Sequence, residues 1–234
     1  MEILNKLIEN IEDYEIKDSL VGVFETIIES KYCGISSTLK PAYRKPYNNI
    51  DIIGNSAKKV AKLALSDNEL EASIGIATIN SALNRDNLKL KKINAYDLLP
   101  NYNNVGVVGR FPFIKKLKHQ INKLYVFELF PQKGEYHSKY LKNYINELDI
   151  LAITATTLIN HTFEELVKYK TNKTKIILLG PSTPLSPILF DYGIDIISGT
   201  IIKDKDLFIN GIKEGKGFKN LKGRESISII KDEY

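Results

Sequence analysis

The sequence predicts an α/β protein in two parts: a small α+β domain over residues 1–98, then a Rossmann-like parallel-sheet domain over residues 99–234. Three observations carry this. From residue 105 onward, short apolar runs (VGVVG, LYVFEL, DILAIT, KIILL, IDIIS) alternate with polar amphipathic stretches. That is the pattern of strands buried on both faces and joined by helical crossovers. Before residue 98 the order differs: one helix, β-rich runs, then helices, with no repeat of the later unit. Between them, DNLKLKKINAYDLLPNYNN (86–104) holds no sustained period, and the boundary is placed there, near Pro100.

Taken in order, Ile3, Leu4, Leu7, Ile8 and Ile11 share one helical face. SLVGVFETIIES and KYCGISSTL read as two β-rich runs forming a hairpin pair. NSAKKVAKLAL (55–65) is a helix with Asn55 or Ser56 as its cap. DNELEASIGIATINSALN (67–84) is a longer helix opening on Asp67, with acids in the first turn where the helix dipole favours them. The small residues Ala72, Gly75, Ala77 and Ser81 within it predict a close neighbour. In the second part, IKKLKHQINKL, SKYLKNYINEL, TLINHTFEELVKY, PLSPILFDY and a stretch near 204–214 supply the helices, and SISII the last strand.

The 234 residues are 43% hydrophobic and 26% charged, an ordinary globular balance with material for a core. No apolar run approaches the ~20 residues that span a bilayer, and MEILNKLIENIEDYE is an acidic amphipathic start, unlike a signal peptide. A cytoplasmic protein with no membrane partner is expected. One cysteine, Cys33, and three scattered histidines, His119, His137 and His161, argue against a disulfide framework or a metal site built from this chain. The formal charge is +5, with 13 Lys/Arg against 14 Asp/Glu up to residue 98 and 20 against 14 beyond it. Scattered lysine without an arginine cluster is not a nucleic-acid footprint; it gives a modest attraction for anionic small molecules. The composition names no cofactor and leaves a homo-oligomer open.

Ligands of open parallel sheets bind beyond the carboxyl ends of the strands, so those ends were read for chemistry. They are GRFPF (109–113), ELFP (128–131), TATTLIN (154–160), GPSTP (180–184) and SGT (198–200), each bearing Gly, Pro, hydroxyls or amides. Connectors on the opposite edge, such as KYKTNKTK, are merely lysine-rich. Gly106 and Gly109 make only G-x-x-G, not the dinucleotide fingerprint, and Pro112 intrudes where the helix should begin. Glu128, 19 residues after Gly109, stands where an acid receives ribose hydroxyls; raised by apolar neighbours, it would serve instead as a general base. Thr156 or Thr157 suits a helix cap, and the Asn160 amide can read a heterocycle edge. His161 is read as a surface side chain and Ser182 as a hydrogen-bonding hydroxyl.

GIATINSALN, VGVVGRFPF, FELFP, TATTLIN, GPSTPLSP and FDYGIDIISGT, in this order, closely resemble the uncharacterised family labelled putative heavy-metal chelation proteins, from about residue 15 to the C-terminus. The resemblance implies an enolase N-terminal-like domain followed by a Rossmann-like domain, with a crevice between them partly similar to methyltransferase sites. It implies the handling of a chelating molecule such as a pterin, flavin or siderophore. The matching positions are Asn80 and Asn84 in the first domain, and Gly109, Arg110, Phe111, Glu128, Thr157, Asn160, Gly180, Ser182 and Thr183 in the second. His161 departs from the pattern, which has glycine or a small residue there. The resulting expectation is a protein that binds and processes a small anionic or heteroaromatic metabolite by condensation or hydrolysis, with Glu128 and Asn160 as catalytic candidates. Its alternatives are a methyltransferase-like enzyme using S-adenosylmethionine and a non-catalytic chelator-binding or metal-handling protein.

Overall fold

The computed structural model describes residues 1–39 and 50–234. Two sheets organise it. The small one is an antiparallel meander of β1 (Asp18–Val21), β2 (Glu25–Glu29) and β3 (Cys33–Ser37). The hairpin pair expected from sequence is thus three strands, because the run SLVGVFETIIES folds back on itself at Gly22, whose N–H bonds the Glu25 carbonyl.

The large sheet has seven strands: β4 (Asn104–Val108), β5 (Lys123–Glu128), β6 (Tyr136–His137), β7 (Ile150–Thr154), β8 (Lys175–Leu179), β9 (Ile196–Ile202) and β10 (Arg224–Ile230). Their spatial order is β10-β9-β8-β7-β4-β5-β6, parallel except for β10 against β9. Counting from β4, six parallel strands run 3-2-1-4-5-6, the doubly wound dinucleotide-fold order, whose direction reverses between β4 and β7. The continuous apolar runs follow from burial on both faces. Val105, Val107, Ile150, Ala152, Ile177 and Leu179 enter one core cluster, while Val108, Leu151, Ile153, Ile176 and Leu178 enter another.

The helices are α1 (Glu2–Asn10), α2 (Ala57–Ala61), α3 (Glu69–Ala82), α4 (Ala95–Leu98), α5 (Ile114–Leu117), α6 (Leu141–Tyr144), α7 (Thr156–Ile159), α8 (Phe163–Val167) and α9 (Lys205–Lys213). Ser56 caps α2 through its hydroxyl, and the cap of α3 is Asn68 rather than Asp67. Several crossovers expected as long helices are one or two turns. TLINHTFEELVKY splits into α7 and α8 around His161, whose φ of 60° lies in the left-handed region. β6 escaped the sequence reading because two residues of edge strand carry no periodicity. SGT is not a strand end: Ser198, Gly199 and Thr200 lie inside β9, which continues to Ile202. Among the described residues no helix is long and apolar enough to cross a membrane.

The sheets are joined through side chains. Phe208 and Ile212 of α9 pack on Ile27 and Ile35 of the small sheet, and Lys205 at the start of α9 pairs with Asp18 (2.8 Å) and with Glu29. Helix α3 lies across the small sheet and is buried almost all round, so it lacks an amphipathic stripe. Its small residues are explained by two close approaches. A Cβ on Gly75 would stand 1.9 Å from the Ala64 nitrogen, and one on Gly34 of β3 would stand 2.1 Å from the Ala77 carbonyl oxygen. Alanine for glycine inside a helix ordinarily gains about 0.5–1 kcal/mol. Gly75→Ala should instead lose about 1–3 kcal/mol through overpacking against backbone, measured as a lower midpoint in denaturant unfolding.

Candidate functional site

The turn after β8 is where the two sheets meet. Gly180 takes φ 119°, which a side chain would resist, and the Thr183 N–H closes back on its carbonyl. This drives Ser182 inward until it is wholly buried. There its Oγ accepts the N–H of Ser37 at the end of β3 (2.9 Å), and its carbonyl accepts Asn80 Nδ2 from α3 (3.3 Å). Asn80 Nδ2 also donates to the Ile35 carbonyl (2.8 Å). The GPSTP turn is therefore fastened to both a strand and a helix of the small unit.

In front of this joint, beyond the β4 and β7 ends where strand order reverses, lies a cavity of about 600 Å³, within the usual range for small-molecule sites. Of the residues singled out by sequence, Gly109, Arg110, Phe111, Glu128, Thr157, Asn160, Gly180 and Ser182 line it. Gly109 has φ 107° and a Cβ there would meet the Thr154 side chain at 2.8 Å, so glycine lets β4 end against β7. Three residues lie elsewhere. Asn80 and Thr183 are buried behind the joint, facing a void of about 10 Å³ beside Cys33, Gly34 and Arg85. Asn84 is exposed, its amide donating to Glu12.

Contacts refine the expected roles. Arg110 is engaged by Glu135, with Nε to Oε1 at 2.9 Å and Nη2 to Oε2 at 2.7 Å, and it also donates to the Phe130 carbonyl. Its charge is thus balanced within the protein rather than left for a ligand. Of the apolar neighbours expected for Glu128, Phe127 is buried, whereas Leu129 is 38% and Phe130 84% exposed, because the chain leaves the sheet at residue 129. Thr156 and Thr157 do not cap α7. Thr157 Oγ1 donates to the Thr154 carbonyl (2.6 Å), and Thr154 Oγ1 meets Thr156 Oγ1 at 3.0 Å. Asn160 follows α7 and lines the cavity, its Oδ1 accepts from the Thr162 hydroxyl (2.7 Å), and its NH2 group has no protein acceptor among the described residues. His161 is no free surface group; its Nε2 bonds the Ala64 carbonyl at 2.9 Å, across to the small unit.

Sequence reading missed Glu25. The first residue of β2, it lines the same cavity, is 5% exposed, and its Oε2 has no hydrogen-bond partner among the described residues. Burial pushes its pKa up to about 8, with Arg224 and the Ser37 hydroxyl drawing it partly back. The signal was present in FETIIE, where alternation puts Glu25 on one face with Ile27, an acid at a core-facing position. Gly217–Asn220, the segment before β10, forms another missed wall.

Comparison with known proteins agrees with this architecture. A family model described as putative heavy-metal chelation matches residues 94–231, and a second with the same description matches residues 4–83. An uncharacterized protein of Methanocaldococcus jannaschii is 29% identical over 219 residues, covering 87% of this chain and 85% of its own. A solved protein of unknown function from Desulfitobacterium hafniense superposes with TM-score 0.87 at 26% identity, covering 98% of both chains. Another, from Pyrococcus horikoshii, gives TM-score 0.82 at 20% identity over 97% of this chain and 98% of that one, a likeness of fold alone.

The side chains do not fit a metal held by the protein itself. Among the described residues no three His, Cys, Asp or Glu side chains are grouped as a ligand set. Burial and the nearby Glu29 push the Cys33 thiol up, away from the thiolate a soft metal needs. Elemental analysis of tag-free protein is expected to find no stoichiometric zinc, nickel or copper; one equivalent surviving a mild chelator would contradict this.

Glu25 sets a pH dependence. Unfolded, it titrates near 4.5, so between about pH 4.5 and 8 the folded chain holds the extra proton. This group's contribution to stability is fullest at the acid end and falls as pH rises through that window, with a slope approaching about 1.4 kcal/mol per pH unit. Unfolding of Glu25→Gln and the parent, followed from pH 5 to pH 8, should show the variant gaining steadily on the parent.

Proposed function

The chain belongs to the putative heavy-metal chelation family, and from that premise we propose that its crevice binds and processes a small anionic or heteroaromatic metabolite, of the chelator-like kind, by condensation or hydrolysis. The observation that supports this best is the convergence of Glu25, Glu128, Asn160 and the hydroxyls of residues 154–157 on one cavity at the strand-order reversal. Two carboxyl groups in unlike surroundings suit acid–base chemistry. Buried Glu25 holds a proton at neutral pH and donates it to a leaving group. Glu128, more open to solvent, accepts the proton of the attacking nucleophile, which is water in a hydrolysis. Asn160 presents its NH2 edge to the substrate, and Thr154, Thr156 and Thr157 supply further polar contacts.

Two other readings have specific support. Glu128, ending the second strand beside Gly109, has the place of a ribose acceptor, which favours S-adenosylmethionine; the missing glycine-rich loop weighs against it. The family description favours a protein that carries a chelator without altering it. Metabolites released from the purified protein, identified by mass spectrometry, separate the three: the substrate or product of a turnover, the methyl donor, or a ligand returned unchanged.

Glu128→Gln keeps shape and removes charge and basicity. Affinity for that ligand, or turnover, should fall by about 1.5–3 kcal/mol, the range for hydrogen bonds to charged groups, with little change in melting temperature. A large loss of melting temperature with unchanged affinity would show Glu128 to be structural.

A further inference from the structure

A second cavity, of about 530 Å³, backs onto the first. The two share one wall, formed by Phe111, Pro112, Gly180, Pro181, Phe218 and Lys219. On its far side the second chamber is bounded by α4, α5, the end of β8, the middle of β9 and the start of β10. Its chemistry differs from that of the first. Four aromatic rings line it, with Phe111 stacked on Phe113 (centroids 4.9 Å apart, planes 13° apart) and Tyr96 tilted against Phe113 at 5.1 Å. Its charged lining side chains are Lys116, Lys219 and Arg224, with no Asp or Glu. Among the described residues none of these three has a carboxylate at ion-pair distance.

Arg224 is held in place. Its guanidinium lies over the Phe218 ring at 4.0 Å, and its Nε donates to the Phe218 carbonyl at 3.2 Å. That fixes one edge of the fork and leaves the two NH2 groups without a protein acceptor among the described residues. A half-buried guanidinium lacking a paired carboxylate is costly; an incoming anion would relieve it, and a planar fork suits carboxylate or phosphate oxygens. Stacked rings beside it favour a flat partner.

We propose that this second chamber is a separate binding site for an aromatic anion, a flat ring bearing a carboxylate or a phosphate, with Arg224 receiving the charge and Phe218 and Phe111 walling the ring. The site is distinct from the first chamber and does not depend on the reading given to it.

The probe is 2-naphthoate, titrated calorimetrically into the full chain, with 1-naphthyl phosphate to tell the two anion sources apart. Two controls dissect the contact: 2-naphthol has the ring without the charge, and cyclohexanecarboxylate the charge without the ring. At least one of the two anionic probes should bind saturably, and both controls about tenfold more weakly or worse. Arg224→Gln should weaken binding about tenfold or more, as for loss of a charge-assisted hydrogen bond. Lys116→Gln, on an exposed side chain, should weaken it by a smaller factor and serves as the second variant should Arg224→Gln fold poorly. Glu128→Gln, in the first chamber, should leave it unchanged. No saturable binding of either anionic probe up to about 10 mM would overturn the proposal. So would binding that is indifferent to both Arg224→Gln and Lys116→Gln, or that is lost in Glu128→Gln.

Discussion

The structure depends on one buried joint, in which the Ser182 hydroxyl accepts the Ser37 N–H while Asn80 reaches back to the Ser182 carbonyl. Ser37 is register-paired with Glu25 across β2 and β3, so the joint that fixes one fixes the other. Through that pairing an acid from the first third of the chain comes to line a cavity made by the last two thirds. The close approach at Gly34 serves the same end, since it lets α3 lie deep enough on β3 for Asn80 to span from the strand to the loop.

Burial then divides the charges. Glu25 and Arg224 have opposite formal charge and feel each other electrostatically, yet each lines a different chamber, Glu25 the first and Arg224 the second. Among the described residues neither is neutralised by an ion pair, and the desolvation each suffers is a standing cost to stability. The protein settles its ordinary charges elsewhere: Arg110 with Glu135, Lys205 with Asp18 and Glu29, Lys170 with Asp195.

The sequence disclosed what depends on periodicity and on strand ends. Runs such as KIILL and DILAIT read as doubly buried strands because Ile177 and Leu178, or Ala152 and Ile153, face opposite cores. Since parallel strands all end on one side, the residues at and beyond those ends could be gathered without knowing strand order, and eight of the candidates singled out there share a cavity. What stayed hidden needed long-range pairing. Glu25 looked like one more polar residue in a β run until register set it opposite Ser37. Asn80 and Asn84 sit four residues apart near the end of one helical run, yet one is locked between units and the other open to water. The break at His161 was masked because a left-handed residue leaves the apolar spacing on either side intact. Its φ of 60° also explains why glycine or a small residue suits this position, and its bond to Ala64 shows what the imidazole adds here.

The wall common to the two chambers has a thermodynamic consequence. Gly180 and Pro181 line both cavities, so, were each chamber occupied as proposed, a ligand that shifted this turn from the first side would change the wall offered to the second. Affinities on the two sides would then be linked, and by reciprocity the factor would be the same in either direction. A residue exchanged in this turn alters both equilibria together, whereas one exchanged at Asn160 or Lys116 acts on a single side. With both chambers in use as proposed, selection acting on one ligand could adjust the outer walls independently, but at the GPSTP turn it would have to satisfy two molecules at once.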